Sequence, residues 1–162
     1  MNAIELLTSS LGTSRQLIEW IVSDLSDADL LVRPVPEANH FAWQLGHLLS
    51  SERNILLEQL PHVSMPELPP GFSEQHASPP PSETAGYLTR DEYLSLYGRI
   101  REATVSALAT LTDADLSIPT KGSLASFFPT LGSVFSMFSD HIYMHLGQAS
   151  VVRRKLGKPV LF

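Results

Sequence analysis

The chain has 162 residues, 43% of them hydrophobic and 17% charged, with a net charge of −6 and a mean hydropathy of +0.04. This length and balance fit one folded domain with its own core and exclude a disordered chain. No basic block exceeds Arg153-Arg154-Lys155, which argues against nucleic acid or an anionic membrane as partner, and the lack of cysteine removes disulfides, thiolate metal sites and cysteine nucleophiles.

Met1 to Gly12 holds Glu5 and no lysine or arginine, so it does not read as a signal peptide. Periodicity predicts a first helix from about Asn2 to Leu25, with Leu6, Leu7, Leu11, Leu17, Ile18, Ile21, Val22 and Leu25 on one stripe. Pro34 and Pro36 keep the next segment out of helix, and a second helix is expected from about His40 to Leu60, N-capped by Asn39. Pro61 to Leu88 carries seven of the twelve prolines, including Pro79-Pro80-Pro81. A connection of this length is unusual in a compact domain. It is expected either to cross over the bundle or to form a mobile lid.

A third helix is expected from about Asp91 to Leu111, with acids at its start that suit the helix dipole. A fourth is expected from about Thr130 to Leu156, with Pro129 in its first turn and Gly157 and Pro159 ending it. Ser26-Asp27-Ala28-Asp29-Leu30 and Thr112-Asp113-Ala114-Asp115-Leu116 form a weak repeat. Each half resembles a capping pattern that could start a short helical turn. Nothing alternates with period two. The expected fold class is therefore all-α: one domain over 1–162, a four-helix bundle with a long Pro-rich crossover loop between helices 2 and 3. No apolar run approaches the roughly 18 residues that span a bilayer, so a cytoplasmic location is the default expectation.

Chemistry concentrates on the histidines. His141 and His145 are four apart, so a helix puts both imidazoles on one face. They fall on the line Val134, Phe138, His141, His145, Gln148, Val152, where an apolar core stripe would otherwise run. A buried imidazole needs a partner, which can be a metal ion or a neighbouring hydrogen-bonding group. The run His-Ile-Tyr-Met-His lacks the glutamate of a zincin. His47 lies inside the second helix after Gly46, a poor helix former that admits a close helix approach, makes room beside the imidazole, or is only a tolerated defect. A third imidazole from a facing helix would complete an open three-His site.

Asn39-His40-Phe41-Ala42-Trp43-Gln44-Leu45-Gly46-His47-Leu48, with Glu52 after it, resembles the second-helix signature of the DinB-like superfamily. Asp140-His141 through His145-Leu146-Gly147-Gln148, with Arg153-Arg154 and Leu156-Gly157-Lys158-Pro159 after it, resembles the fourth-helix signature. The resemblance covers nearly the whole chain. It implies an up-down-down-up four-helix bundle, often a homodimer, holding one divalent metal, commonly nickel or zinc, on His47, His141 and His145. The family does not fix one reaction; a metal on three neutral imidazoles leads to the expectation of an enzyme acting on a small-molecule substrate. Characterised members include transferases and isomerases that use low-molecular-weight thiols, and metal-dependent hydrolases; any thiol must here come from a cosubstrate. A non-catalytic metal-binding or interaction bundle is the alternative.

Two residues are candidates to support the ligands. Glu52 is turned about 140° from His47 on an ideal helix. It could accept an imidazole N–H or act as a base, or it could pair with an arginine from another helix. Gln148, about one turn past His145, could hydrogen-bond a ligand or bound water. Asp140 is expected either to be solvated or to take a role at the site, Tyr143 to pack, and Trp43 to line core or pocket. His40 is a reserve ligand near a helix start, and His62 and His76 are expected to be exposed. The catalytic residues are unknown from sequence.

Overall fold

Four long helices carry the fold in a computed structural model that describes residues 1–77 and 86–161. They are α1 (Ala3–Val22), α3 (Phe41–Gln59), α5 (Arg90–Ala109) and α6 (Leu131–Lys155). Two one-turn helices, α2 (Asp27–Leu30) and α4 (Phe72–Gln75), and two 3-10 turns fill the connections. Among the described residues there is no strand, and no helix is long and apolar enough to cross a membrane.

The helix starts follow side-chain chemistry. Asn2 and Glu5 cap α1 reciprocally, Thr89 and Glu92 cap α5, and Thr130 and Ser133 cap α6. Two expectations need correction. The N-cap of α3 is His40, not Asn39, because the Trp43 backbone N–H donates to His40 Nδ1 at 3.1 Å. Pro129 precedes the Thr130 cap and so lies outside the first turn of α6. Both halves of the weak repeat do start short turns: Ser26 and Asp29 cap α2, and Thr112 with Asp115 leads into the 3-10 turn Asp115–Ser117.

Each long helix packs on two others: α1 on α5 and α6, and α3 on α5 and α6. Cross-helix pairs fix the directions. Arg90 at the start of α5 donates to carbonyls of Ser23 and Leu25 beyond the end of α1, while Arg101 reaches the Leu11 carbonyl, so α1 and α5 are antiparallel. Ser14 meets Ser139 and Arg153 meets the Ile21 carbonyl, so α1 and α6 are parallel. Gln44 meets His145 near the start of α3, and Ile55 shares a cavity with Met137 further along, so α3 and α6 are antiparallel. The order is up-down-down-up. Because α3 and α5 run the same way, the chain must return along a helix length, about 30 Å for 20 residues, before α5 begins. That requirement explains the long crossover. Its described part packs on the bundle through Met65, Leu68 and Phe72. The Pro79-Pro80-Pro81 run, and with it much of the suggested lid, lies outside the described residues.

The core is split by a polar layer. One apolar cluster gathers Ile18, Ile21, Leu45, Leu49, Tyr93, Ile100, Ile142 and Leu146. The other gathers Leu11, Leu56, Leu108, Val134, Phe135 and Phe138. Between them in register lie Ser14 of α1, Glu52 of α3, Arg101 and Thr104 of α5, and Ser139 of α6, all buried. Arg101 Nη2 donates to Glu52 Oε2 at 2.7 Å, and the Thr104 hydroxyl lies 2.7 Å from Glu52 Oε1. Leu6, expected on the α1 stripe, is exposed.

Candidate metal centre

The antiparallel packing of α3 on α6 brings His47 to His141 and His145. The three imidazoles offer ligand nitrogens within 4.8 Å of one another, and among the described residues they form the group able to hold a metal ion. His145 is buried, and His47 and His141 are half-buried. The His145 and His141 Nε2 atoms stand 3.2 Å apart. Two imidazole nitrogens bound to one tetrahedral zinc would be about 3.3 Å apart, given Zn–N bonds of about 2.05 Å.

Tautomers follow from the outer hydrogen bonds. A backbone carbonyl only accepts, so His47 Nδ1–H donates to the His76 carbonyl at 3.3 Å. Gln44 Nε2 donates to the Asn39 carbonyl at 2.9 Å, which leaves Gln44 Oε1 to accept from His145 Nδ1–H at 3.0 Å. Both rings therefore keep an Nε2 lone pair for the shared space. At 3.2 Å, the His145 lone pair and the His141 nitrogen need a proton or a cation between them. This donor set fits a borderline metal ion, with imidazole orientation set from outside as in known metal sites.

Burial also keeps these rings neutral. It lowers the His141 pKa to about 4, with His47 adding to the effect. It lowers His145 to about 3, with His141 and His47 adding. Burial lowers His47 as well, opposed by its bond to the His76 carbonyl. Neutral imidazole is the metal-binding form, so few protons need displacing near neutral pH. Trp43 stacks on His47 with ring centroids 4.8 Å apart and planes 8° apart, shielding one face of that ligand.

Several expectations change here. Glu52 supports none of the imidazoles, because both its oxygens are engaged by Arg101 and Thr104 in the polar layer. Its reading as a partner for an arginine of another helix is the one observed. Gln148 is exposed on α6, and the amide that holds His145 is Gln44. His76, expected to be exposed, is fully buried. Its Nδ1–H donates to the Phe72 carbonyl at 2.7 Å, so its Nε2 accepts from the Tyr93 hydroxyl at 2.8 Å. Gly46 makes this possible: a Cβ there would overlap the His76 ring. The room that Gly46 leaves thus serves a histidine of the crossover. His40, the reserve ligand, instead caps α3; Tyr143, expected to pack, is exposed; and His62 is exposed as expected. Asp140 is exposed and borders a cavity beside His141.

Fold and site together define a four-helix bundle with a three-histidine centre between its second and fourth long helices. Residues 10–149 match the DinB superfamily, and the chain belongs to it. YfiT from Bacillus subtilis, described as a probable metal-dependent hydrolase with an unusual four-helix bundle topology, is similar in structure with a TM-score of 0.70 at 15% identity. The likeness covers 96% of this chain and 89% of YfiT. A conserved protein from Enterococcus faecalis is similar with a TM-score of 0.69 at 20% identity, over 98% of this chain and 99% of that one. No curated protein matches the chain.

Proposed function

We propose that the chain holds one divalent transition-metal ion, nickel or zinc, on His47, His141 and His145 and is a metal-dependent hydrolase of a small molecule. The observation that carries this reading is the pair of committed Nδ1–H groups on His47 and His145, which leave both Nε2 lone pairs free in a group whose ligand atoms lie within 4.8 Å of one another. The description of YfiT as a probable metal-dependent hydrolase supports it by likeness of fold. A divalent ion on three neutral imidazoles keeps its full charge and supplies Lewis acidity, which lowers the pKa of a water or thiol.

The chain's own residues do the rest. The His76 carbonyl and Gln44 orient two ligands. Trp43 covers the face of His47. His141 forms part of the wall of an open cavity, which gives a small molecule a route to the site. Transfer involving a low-molecular-weight thiol is the second reading; with no cysteine in the sequence, that thiol would come from a cosubstrate.

The test is turnover of a panel of esters and amides by zinc- and nickel-loaded protein, with and without added thiol, beside His141→Ala. Turnover without thiol, lost on chelation and in the variant, is expected. Turnover that requires thiol would replace hydrolysis by transfer. Equal turnover in the chelated protein would overturn metal dependence.

A further inference from the structure

The histidine faces of α3 and α6 continue into a cavity of about 390 Å³. Small-molecule sites occupy roughly 300–1,000 Å³. Ser51 and Ile55 follow His47 at four-residue steps, and Met137 and Met144 flank His141 at four and three, so the wall extends the triad's own helix faces. Leu124 and Phe128, from the segment leading into α6, complete the apolar side. A larger cavity of about 600 Å³ lies against α5 and the crossover and contains none of the three histidines.

The lining carries a strong chemical bias. Among the described residues, its polar side chains apart from His141 are Ser51 and Asp140, and no lysine or arginine lines it. A carboxylate, phosphate or sulfonate entering there would lose hydration, gain no cation from the lining, and face the Asp140 carboxylate. Thioethers of Met137 and Met144 and the Phe128 ring favour a flat aromatic or branched alkyl group. We propose that this cavity seats the non-reacting part of the substrate, and that this part is an uncharged apolar group, aryl or branched alkyl. The proposal rests on the metal-dependent reading above, since His141 is the wall that joins cavity and metal site.

The experiment uses two probes on one scaffold: neutral N-phenyl-1-naphthylamine and its sulfonated counterpart, 8-anilino-1-naphthalenesulfonate. Each is titrated by fluorescence into the full chain, metal-free and zinc-loaded, with zinc affinity measured on the same samples. Saturable binding of the neutral probe is expected, at least tenfold tighter than the sulfonate. Asp140→Asn should narrow that gap. Met144 is 56% exposed, so Met144→Asp should leave the fold intact and weaken the neutral probe at least tenfold, while Met144→Leu should not. Equal or tighter binding of the sulfonate would overturn the proposal. So would neutral-probe binding unchanged in both Met144→Asp and Ile55→Asp. Probe binding that weakens as protein concentration rises, with a doubled mass in sedimentation, would give the cavity to a second copy of the chain and overturn it too. Probe binding without zinc binding would sink the metal-dependent reading and leave the apolar site standing, whereas zinc binding without probe binding would do the reverse.

Discussion

Replacing Gly46 with alanine sets two effects of opposite sign against each other. In an exposed helix interior, alanine is worth about 1 kcal/mol over glycine. Here the new Cβ would fall on three atoms of the His76 ring. Overpacking of this kind costs about 1–3 kcal/mol. Displacing the ring also breaks its bonds to the Phe72 carbonyl and the Tyr93 hydroxyl. Each of those contributes about 0.5–1.5 kcal/mol net, so the two together contribute about 1–3 kcal/mol. The losses sum to about 2–6 kcal/mol against a gain of about 1, so Gly46→Ala should destabilise the metal-free protein by about 1–5 kcal/mol. The same displacement moves the His76 carbonyl from His47 Nδ1, and losing such an outer partner lowers metal affinity about 10–100-fold. Urea denaturation of metal-free protein and zinc competition with a chelator measure the two effects. A variant at least as stable as the wild type, with unchanged zinc affinity, would refute the packing of His76 against α3.

Three further predictions follow the same logic. Arg101→Met should cost about 3–5 kcal/mol in chemical denaturation, because it strands the buried Glu52 carboxylate; adding Glu52→Leu should restore most of the loss, and a neutral single variant would contradict the polar layer. Gln44→Leu should keep the fold but weaken zinc binding about 10–100-fold by freeing the His145 tautomer, and unchanged affinity would count against that role. The metal-free protein should be most stable above about pH 6.5 and lose stability steadily toward pH 4. In that window the unfolded histidines take up protons, while His40 and His141, held near 4, and His145, near 3, do not. Melting temperatures at pH 7.5 and 5 check this, and equal values would contradict it.

Much of the fold can be read from local pattern. Helix periodicity, capping residues and proline positions mark four helices to within a few residues, because each signal acts over one or two turns. His141 and His145 can be paired by spacing alone, and Gln44 could have been added to His47 by the same rule, since it lies three residues earlier on that face. His76 could not. It reaches the site through tertiary packing against a glycine 30 positions earlier, and nothing within the proline-rich segment marks it as buried. Glu52 shows the converse. Its angular offset from His47 is visible in the sequence, but its partners Arg101 and Thr104 come from α5 and are fixed only by the parallel course of α3 and α5.

The most direct test of the central claim is metal content by elemental analysis of desalted protein after incubation with nickel or zinc, wild type beside His145→Ala. The three-histidine centre predicts about one equivalent of transition metal in the wild type and its loss in the variant, with helical content unchanged. Metal-free wild type, or equal metal in both proteins, would contradict it.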